Sequence, residues 1–356
     1  MSTMTLDRPI AATREAIADD RAMLKVAADL TRDITAVRPA IYWGDFIGSA
    51  VIGYAALAVA IVATPLWATI VAGIVAMLAL YRAMSFIHEL THIRHALLPG
   101  FRTGYNAVIG VPMLVPSFMY EGVHNLHHAR TRYGTSEDPE YLPLALMKPW
   151  SLPLFVLVAA LAPLALMIRY GVLAPLSLVI PPLRRVVVER YSALAINPQF
   201  RRRMPEGEFA AQWNRIEVAC AAWAMALIAL VATGTMPLRT FAIILSVASA
   251  VAVVNQLRTL VAHLWENDGE AMTVTAQYLD TVNVPPPSTL PALWAPVGLR
   301  YHALHHLLPG VPYHSLGEAH RRISAALESG SPYHRASYAG MPGLVAKIAR
   351  STMLPR

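Results

Sequence analysis

The stretch that decides the fold is FIGSAVIGYAALAVAIVATPLWATIVAGIVAMLAL, residues 46–80, which contains no charged side chain. Pro65 divides it into two apolar runs, and the second run continues to about Ile87. The apolar core of a bilayer is about 30 Å thick and is crossed by roughly 20 helical residues. Because almost nothing separates the two runs, the sequence predicts a helical hairpin with membrane spans at 46–64 and 66–87.

A second hairpin is predicted further along the chain. Its spans are placed at 216–233 and 239–262, and they are joined by the turn GTMP, residues 234–237. Two hairpins bring the chain back to the face from which it started, so both termini are expected on one side of the membrane. The composition agrees, since 56% of the residues are hydrophobic and 14% are charged, which is more apolar than an ordinary globular domain.

Two further apolar stretches, 105–120 and 153–180, are interrupted by prolines, and the second also contains Arg169. Each is predicted to be an interfacial or re-entrant segment. The expected fold is therefore an all-α integral membrane protein with four transmembrane helices in two hairpins and a helical cytosolic cap. Six spans are the alternative.

The N-terminal residues 1–45 are predicted to form a cytosolic or interfacial region that precedes a single membrane domain, 46–356. Acidic residues and the lack of an early apolar core argue against a cleavable signal peptide. Apolar residues between Thr13 and Val37 recur near helical spacing. This pattern predicts an amphipathic helix that lies either on the membrane or against the protein.

The net charge of +7 comes largely from arginines that flank apolar runs, including Arg184, Arg185, Arg190 and 201–203. Basic residues beside membrane spans mark the cytoplasmic side. We therefore predict a protein of the plasma or inner membrane with a cytoplasmic functional face, and no nucleic-acid partner.

Cys220 is the single cysteine of the chain. One cysteine excludes a disulfide framework, a cysteine-ligated iron–sulfur cluster and a cysteine-based zinc site within the chain. No glycine-rich dinucleotide or phosphate-binding motif follows a strand-like segment. Any electrons that the protein uses are expected to come from a separate donor.

Histidines are concentrated in short motifs at the ends of the predicted spans. The motifs are HELTH at 88–92, HNLHH at 124–128, a single histidine after the fourth span, and HALHH at 302–306. On a helix, histidines at positions i and i+4 project from one face and can share a metal ion. Nine imidazoles are too many for one tetrahedral zinc and suit two ions with four or five nitrogens each, so a dinuclear centre is predicted.

The order HELTH, HNLHH followed by SEDPEY, RTLVAH and HALHHLLPGVPYH resembles the membrane fatty acid desaturase and hydroxylase superfamily, which includes alkane hydroxylases and terminal-alkene-forming fatty acid decarboxylases. The resemblance extends from about Phe46 to His320. It implies a non-haem centre of two iron ions on the cytosolic side of a four-helix stem, with O2 as co-substrate. The ligands that it implies are His88, His92, His124, His127, His128, His263, His302, His305 and His306.

Other side chains are assigned positions beside these ligands. Metal-bound histidines commonly donate their second N–H to a carboxylate, and the candidates are Glu89, Glu121, Asp138 and Glu140. His95 is predicted to lie near the ligands or on the surface rather than to bind metal. Thr259 stands where some family members have a water-linked asparagine, so no tenth ligand is predicted. The remaining histidines, His314, His320 and His334, are interpreted as structural or exposed.

The resemblance implies O2-dependent oxidation of a fatty acid or fatty acyl chain, with electrons from a separate donor such as a ferredoxin and its reductase. Desaturation is the expected outcome. Hydroxylation and decarboxylation to a terminal alkene are the alternatives, because the histidine motifs are common to all three reactions.

Two other classes of function compete with this interpretation. HELTH also matches the H-E-x-x-H pattern of zinc proteases, with Glu89 as general base and the Asp268–Gly269 pair offering a third ligand. That interpretation leaves six histidines without a role. A metal transporter would place its site near the bilayer midplane, whereas these motifs lie at span ends.

Overall fold

The computed structural model describes residues 17–288 and 290–353. In these residues the regular secondary structure is helical, and β-pairing is limited to isolated bridges such as His263 with Thr281. The expectation of an all-helical membrane protein is confirmed at this level.

Helix α1, Arg21–Asp29, opens the described chain. Asp20 caps it by accepting a hydrogen bond from the Met23 backbone N–H at 3.0 Å. Met23 and Ala27 are fully buried against Ala319 and Ile323 of the C-terminal part of the chain. The apolar face of this helix therefore packs on the protein. Of the segment 13–37 that was predicted to be amphipathic, residues 13–16 lie outside the described residues.

The first hairpin consists of α2, Pro39–Val62, and α3, Leu66–Met84, and the short helix α4, Phe86–His92, continues its direction. The two long helices pack closely, because a Cβ added at Gly53 would lie 2.7 Å from Leu80 Cγ. Helix α2 begins at Pro39, before the predicted Phe46, in agreement with the preference of proline for the first helical turn.

A cluster of aromatic side chains surrounds Phe86 at the start of α4. Phe86 contacts Phe46, Phe101 and Tyr313 edge to face, with ring centroids 5.5–5.7 Å apart. Such pairs are favourable beyond the apolar area that they bury. This packing fixes the position of α4 and of the histidines that it carries.

Within the described residues, the segment 105–120 is not among the helices that are long and apolar enough to span a membrane. Helix α5, Phe101–Tyr105, is followed by a single π-helical turn, Asn106–Gly110, and the chain continues through turns to α6, His124–His127. Ile109, Leu114 and Phe118 are buried in the protein.

The middle of the chain is a run of helices broken at prolines and at a π-helical turn. It contains α7 Ser151–Ala160, α8 Ala162–Ile168, the π-helical turn Arg169–Leu173, α9 Ala174–Val179 and α10 Pro181–Tyr191. By length and composition, Ala162–Val179 could cross a membrane.

The second hairpin consists of α11, Gly207–Ala232, and α12, Leu238–Leu260. Within the described ranges, five helices are long and apolar enough to span a membrane, compared with the four that were expected. Four of the five form the two predicted hairpins, and the fifth is the middle segment. The protein is an integral membrane protein.

The turns of the two hairpins lie side by side. Arg239, at the start of α12, donates hydrogen bonds to the carbonyl oxygens of Ile61 at 2.5 Å and Ala63 at 2.7 Å. These carbonyls end α2 and have no partner inside that helix. Arg239 thus caps the neighbouring hairpin, and the histidine motifs lie at the opposite end of the hairpins.

The C-terminal part contains α13 Val274–Asp280, α14 Pro291–Trp294, α15 His302–Leu307, α16 Leu316–Ala326, α17 Pro332–Arg335 and α18 Met341–Met353. These helices are too short to span a bilayer. They pack over the end of the hairpins, where α16 contacts α1 and His305 of α15 contacts His92 of α4.

Candidate metal centre

The histidine motifs lie on short helices that meet at one end of the two hairpins. His88 and His92 are one turn apart on α4, the HNLHH motif forms α6 and its C-terminal cap, and HALHH opens α15. His263 follows α12 and forms an isolated β-bridge with Thr281. Each motif is local, but the four segments come from distant parts of the chain.

The structure brings the predicted histidines together in two groups. The five-histidine group contains His88, His92, His124, His128 and His305, and the four-histidine group contains His127, His263, His302 and His306. Within each group, one ring nitrogen from every residue lies within 4.8 Å of all the others. Among the described residues, neither group includes a carboxylate or a cysteine.

Both H-x-x-H-H motifs are shared between the groups. His124 and His128, at positions i and i+4, belong to one group, whereas His127 belongs to the other. In HALHH, His302 and His306 are one turn apart in the four-histidine group, and His305 faces the five-histidine group. In each motif, the i and i+4 histidines therefore face one group and the i+3 histidine faces the other.

Ring nitrogens within the groups are unusually close. The Nε2–Nε2 distances are 3.0 Å for His124 and His128, 3.1 Å for His92 and His305, and 3.1 Å for His263 and His302. Two nitrogens bound to one ion at about 2.1 Å and at a right angle lie about 3.0 Å apart. The spacing therefore fits two metal ions, one for each group.

Three of these histidines have a defined partner for the nitrogen that faces away from the group. His124 Nδ1 lies 2.8 Å from Glu140 Oε1, and His127 Nδ1 lies 2.9 Å from Asp138 Oδ2. Such contacts fix the orientation of the ring and make it a stronger ligand. Asp138 and Glu140 thus take the positions that the sequence analysis assigned to candidate carboxylates.

The partner of His263 involves two residues that sequence reasoning missed. The Tyr133 hydroxyl lies 2.9 Å from His263 Nδ1 and donates a hydrogen bond to Asp280 Oδ2 at 2.8 Å. All three side chains are buried. Neither Tyr133 nor Asp280 belongs to a histidine motif. The only signal for Asp280 as a partner of a ligand was its carboxylate at the end of a short helix.

The other candidates near the ligands have different contacts. Glu89 accepts hydrogen bonds from the Tyr42 hydroxyl at 2.5 Å and the Tyr313 backbone N–H at 3.2 Å. Its Oε1 lies 3.5 Å from His88 Nδ1, which is too long for a good hydrogen bond. This carboxylate therefore connects α2 to the loop after α15.

Glu121 and His95 contact each other rather than the two groups. His95 Nε2 lies 3.4 Å from Glu121 Oε1, which also accepts a hydrogen bond from Arg102 at 3.3 Å. His95 is exposed and belongs to neither group. Thr259 is half-buried in the last turn of α12, where its backbone oxygen accepts from the Ala262 N–H.

Burial controls the charge of the histidines outside the spans. Burial and the neighbouring imidazoles hold the pKa of His124 and His128 well below the usual range, and the same holds for His305 and His306. These rings are neutral at pH 7, so their lone pairs are free for a metal ion.

The pKa values of His127 and of two carboxyl groups at the site are raised instead. Burial disfavours a positive charge on His127, but the Asp138 carboxylate outweighs this effect and raises the histidine pKa. Burial raises the pKa of Glu140 to about 7 and that of Asp280 to about 7. A nearby metal cation would favour the charged form of both carboxyls.

Replacing Asp138 by asparagine is expected to weaken metal binding and activity by about tenfold to a hundredfold, because His127 loses the carboxylate that orients it. Metal content after dialysis against a graded chelator measures this effect. Glu137→Gln is the matched control, since Glu137 is exposed and its carboxylate lies 3.5 Å from Arg132 Nε. Equal metal retention by the two variants would contradict this role of Asp138.

Comparison with known proteins agrees with this geometry. The model of the fatty acid desaturase family matches residues 65–338. The chain belongs to the fatty acid desaturase family. The resemblance inferred from the histidine motifs is thereby confirmed. A similar protein is the ceramide hydroxylase of Caulobacter vibrioides, which is 48% identical over 324 residues, or 91% of this chain and 92% of that protein.

As a desaturase-family member, the protein is an oxidoreductase of the membrane di-iron class that oxidises a lipid chain. The family implies two iron ions, and the donor set fits them, because imidazole is a good ligand for iron and the nine nitrogens divide into two groups. Asp268, the third ligand required by the zinc protease interpretation, is exposed and lies in neither group.

Proposed function

We propose that the protein hydroxylates a hydrocarbon chain of a ceramide-type lipid at a di-iron centre bound by the five-histidine and four-histidine groups. The observation that carries the choice of reaction is the 48% identity with a ceramide hydroxylase over 91% of the chain. That relative favours hydroxylation over the desaturation that the sequence analysis preferred. Nothing in the comparisons favours decarboxylation to a terminal alkene.

The proposed reaction consumes one lipid, one O2, two electrons and two protons, and it gives a hydroxylated lipid and water. When bound, the di-iron centre supplies activation of O2 and cleavage of the C–H bond, which side chains alone cannot perform. The protein provides nine imidazoles in two groups, six of them buried and three half-buried. This burial keeps water from the reacting carbon.

For the membrane topology, we propose four crossings with the histidines on the cytoplasmic side. Leu152 and Phe155, at the start of the middle segment, pack with Trp265, which follows His263 closely. After this segment, Arg202 donates a hydrogen bond to the Glu121 carbonyl at 2.7 Å. Both ends of the middle segment therefore lie at the histidine end, which supports a re-entrant rather than a crossing path.

The electron donor is proposed to be a separate acidic protein of the ferredoxin class with its reductase. Exposed arginines lie in the last turn of α10 and on the segment that joins it to α11, among them Arg190, Arg201 and Arg203. Charge complementarity of this kind accelerates encounter with an acidic partner. The basic residues also support the cytoplasmic assignment of that end.

Product analysis tests the proposed function. Purified protein in nanodiscs is incubated with O2, ferredoxin, its reductase, a reduced nicotinamide cofactor and either ceramide or free fatty acid of equal chain length. We expect a ceramide product heavier by one oxygen atom and two irons per chain. A product lighter by two hydrogens would reassign the reaction to desaturation, and exclusive oxidation of the free acid would reject the ceramide-type substrate.

A further inference from the structure

A narrow cavity lies beside the four-histidine group. It is lined by Arg258 and Val261 at the end of α12, by Trp294 at the end of α14, by Arg300, and by His302. Its free space corresponds to about one water molecule. The cavity can therefore hold a single oxygen atom, such as that of a carbonyl group, next to the proposed reaction centre.

Arg258 is a buried cation that the protein itself leaves without a counter-ion. Arg258 is only 8% exposed, and its Nε has no hydrogen-bond partner. Among the residues that the structure describes, no carboxylate is within ion-pair distance of it. Arg300, in the same cavity wall, differs because its Nε and Nη2 donate to the Val284 and Ser288 carbonyls at 2.8 and 2.7 Å.

His302 adds a second unsatisfied donor position to the same cavity. Its Nε2 faces His263 and His306 within the four-histidine group, at 3.1 and 3.2 Å. Its Nδ1 is buried and has no partner, whereas the Nδ1 atoms of His124, His127 and His263 each have one. Leaving a buried donor unpaired is costly, so an oxygen acceptor between Arg258 and His302 would satisfy both.

The surroundings of the cavity favour a lipid over a soluble anion. Leu290 and Leu293, next to the cavity residue Trp294, are 67% and 50% exposed. The Tyr81 hydroxyl of α3 donates to the Trp294 carbonyl at 3.0 Å and holds this apolar surface against the membrane hairpin. These exposed apolar side chains suit contact with a lipid better than contact with water.

We infer that Arg258 and His302 Nδ1 bind the amide carbonyl oxygen of the lipid substrate and thereby determine which carbon reaches the metal ions. This inference rests on the proposed ceramide-type substrate. Because His302 belongs both to the cavity and to the four-histidine group, the carbons within a few bonds of the amide are the ones presented for oxidation. Arg258 is a binding and positioning residue for this reaction.

The test compares Arg258→Met and Arg258→Lys with wild type, and Arg215→Met serves as a control because Arg215 is an exposed arginine of α11. Binding of a C16 ceramide to the iron-free protein in nanodiscs is measured first. Iron content, KM, kcat and the position of the new hydroxyl group are then measured on the iron-loaded protein, the last by mass spectrometry.

We expect Arg258→Met to weaken ceramide binding and raise KM by about tenfold to a hundredfold, as for loss of a charged hydrogen bond. Hydroxylation should spread over several carbons while iron content stays at the wild-type level. Arg258→Lys keeps the charge but not the planar fork, so it should bind with intermediate affinity. The control should behave as wild type.

Three results would overturn the inference. They are unchanged binding and an unchanged hydroxyl position in Arg258→Met, loss of iron from both Arg258 variants, and failure of wild-type protein to bind ceramide. The first would mean that the cavity holds only water. If wild-type protein binds ceramide in an Arg258-dependent manner but gives no hydroxylated product, the proposed function fails and this inference stands.

Discussion

His305→Ala is expected to lower the iron content from two ions per chain to one or none and to abolish detectable lipid oxidation, a loss of at least about a thousandfold. His305 Nε2 lies 3.1 Å from His92 Nε2 in the five-histidine group. Removing one of five nitrogens opens the coordination of that ion to water and disturbs the ring that it contacts. Metal analysis and product formation on the same sample measure the effect.

His95→Ala is the matched control for this prediction. His95 follows His92 by a few residues, but it is exposed and belongs to neither histidine group. Its replacement should leave iron content unchanged. If His95→Ala lost as much iron as His305→Ala, the division of the nine histidines into two ligand sets would be wrong.

Glu217→Ala is expected to destabilise the protein by about 3–5 kcal/mol, because it leaves two arginines without their shared counter-ion in a buried position. Glu217, on α11, pairs with Arg169 of the π-helical turn and with Arg184 of α10, the latter at 2.5 Å. The glutamate and Arg169 are both less than 10% exposed. This ion-pair network holds the middle segment against the second hairpin.

A fall in the apparent Tm on the order of 10 °C in detergent would report this loss. Glu189→Ala provides the comparison, since Glu189 pairs with the exposed Arg185 one turn away at 2.7 Å on the surface of α10. An exposed pair contributes little, so its Tm should stay near that of wild type. Equal Tm values for the two variants would show that the buried network does not hold the middle segment in place.

The middle segment contains a contact that the sequence could not predict. The prolines and Arg169 predicted an interfacial or re-entrant path for residues 153–180, but an arginine in an apolar stretch does not reveal its partner. Glu217 lies 48 residues further along the chain. The structure supplies this contact, and with it the reason that Arg169 is tolerated there.

The two hairpins, by contrast, could be predicted because span length depends on one external dimension, the thickness of the bilayer. The apolar run that Pro65 divides therefore predicted both of its helices. The predicted first residues of the hairpins differ from those in the structure. Helices α2 and α11 begin at Pro39 and Gly207, before the apolar runs, because residues such as Tyr42 and Trp213 are buried by tertiary packing.

The sequence by itself was enough to select the nine histidines as candidate ligands. The spacings of HELTH, HNLHH and HALHH act within single helical turns, where geometry is local. Only the tertiary structure decided which histidines meet. His92 and His305 are 213 residues apart, and the Tyr133–Asp280 pair and the unpaired Arg258 belong to no motif. Contacts of that kind depend on how separate helices pack, and packing is a property of the whole chain rather than of any short stretch.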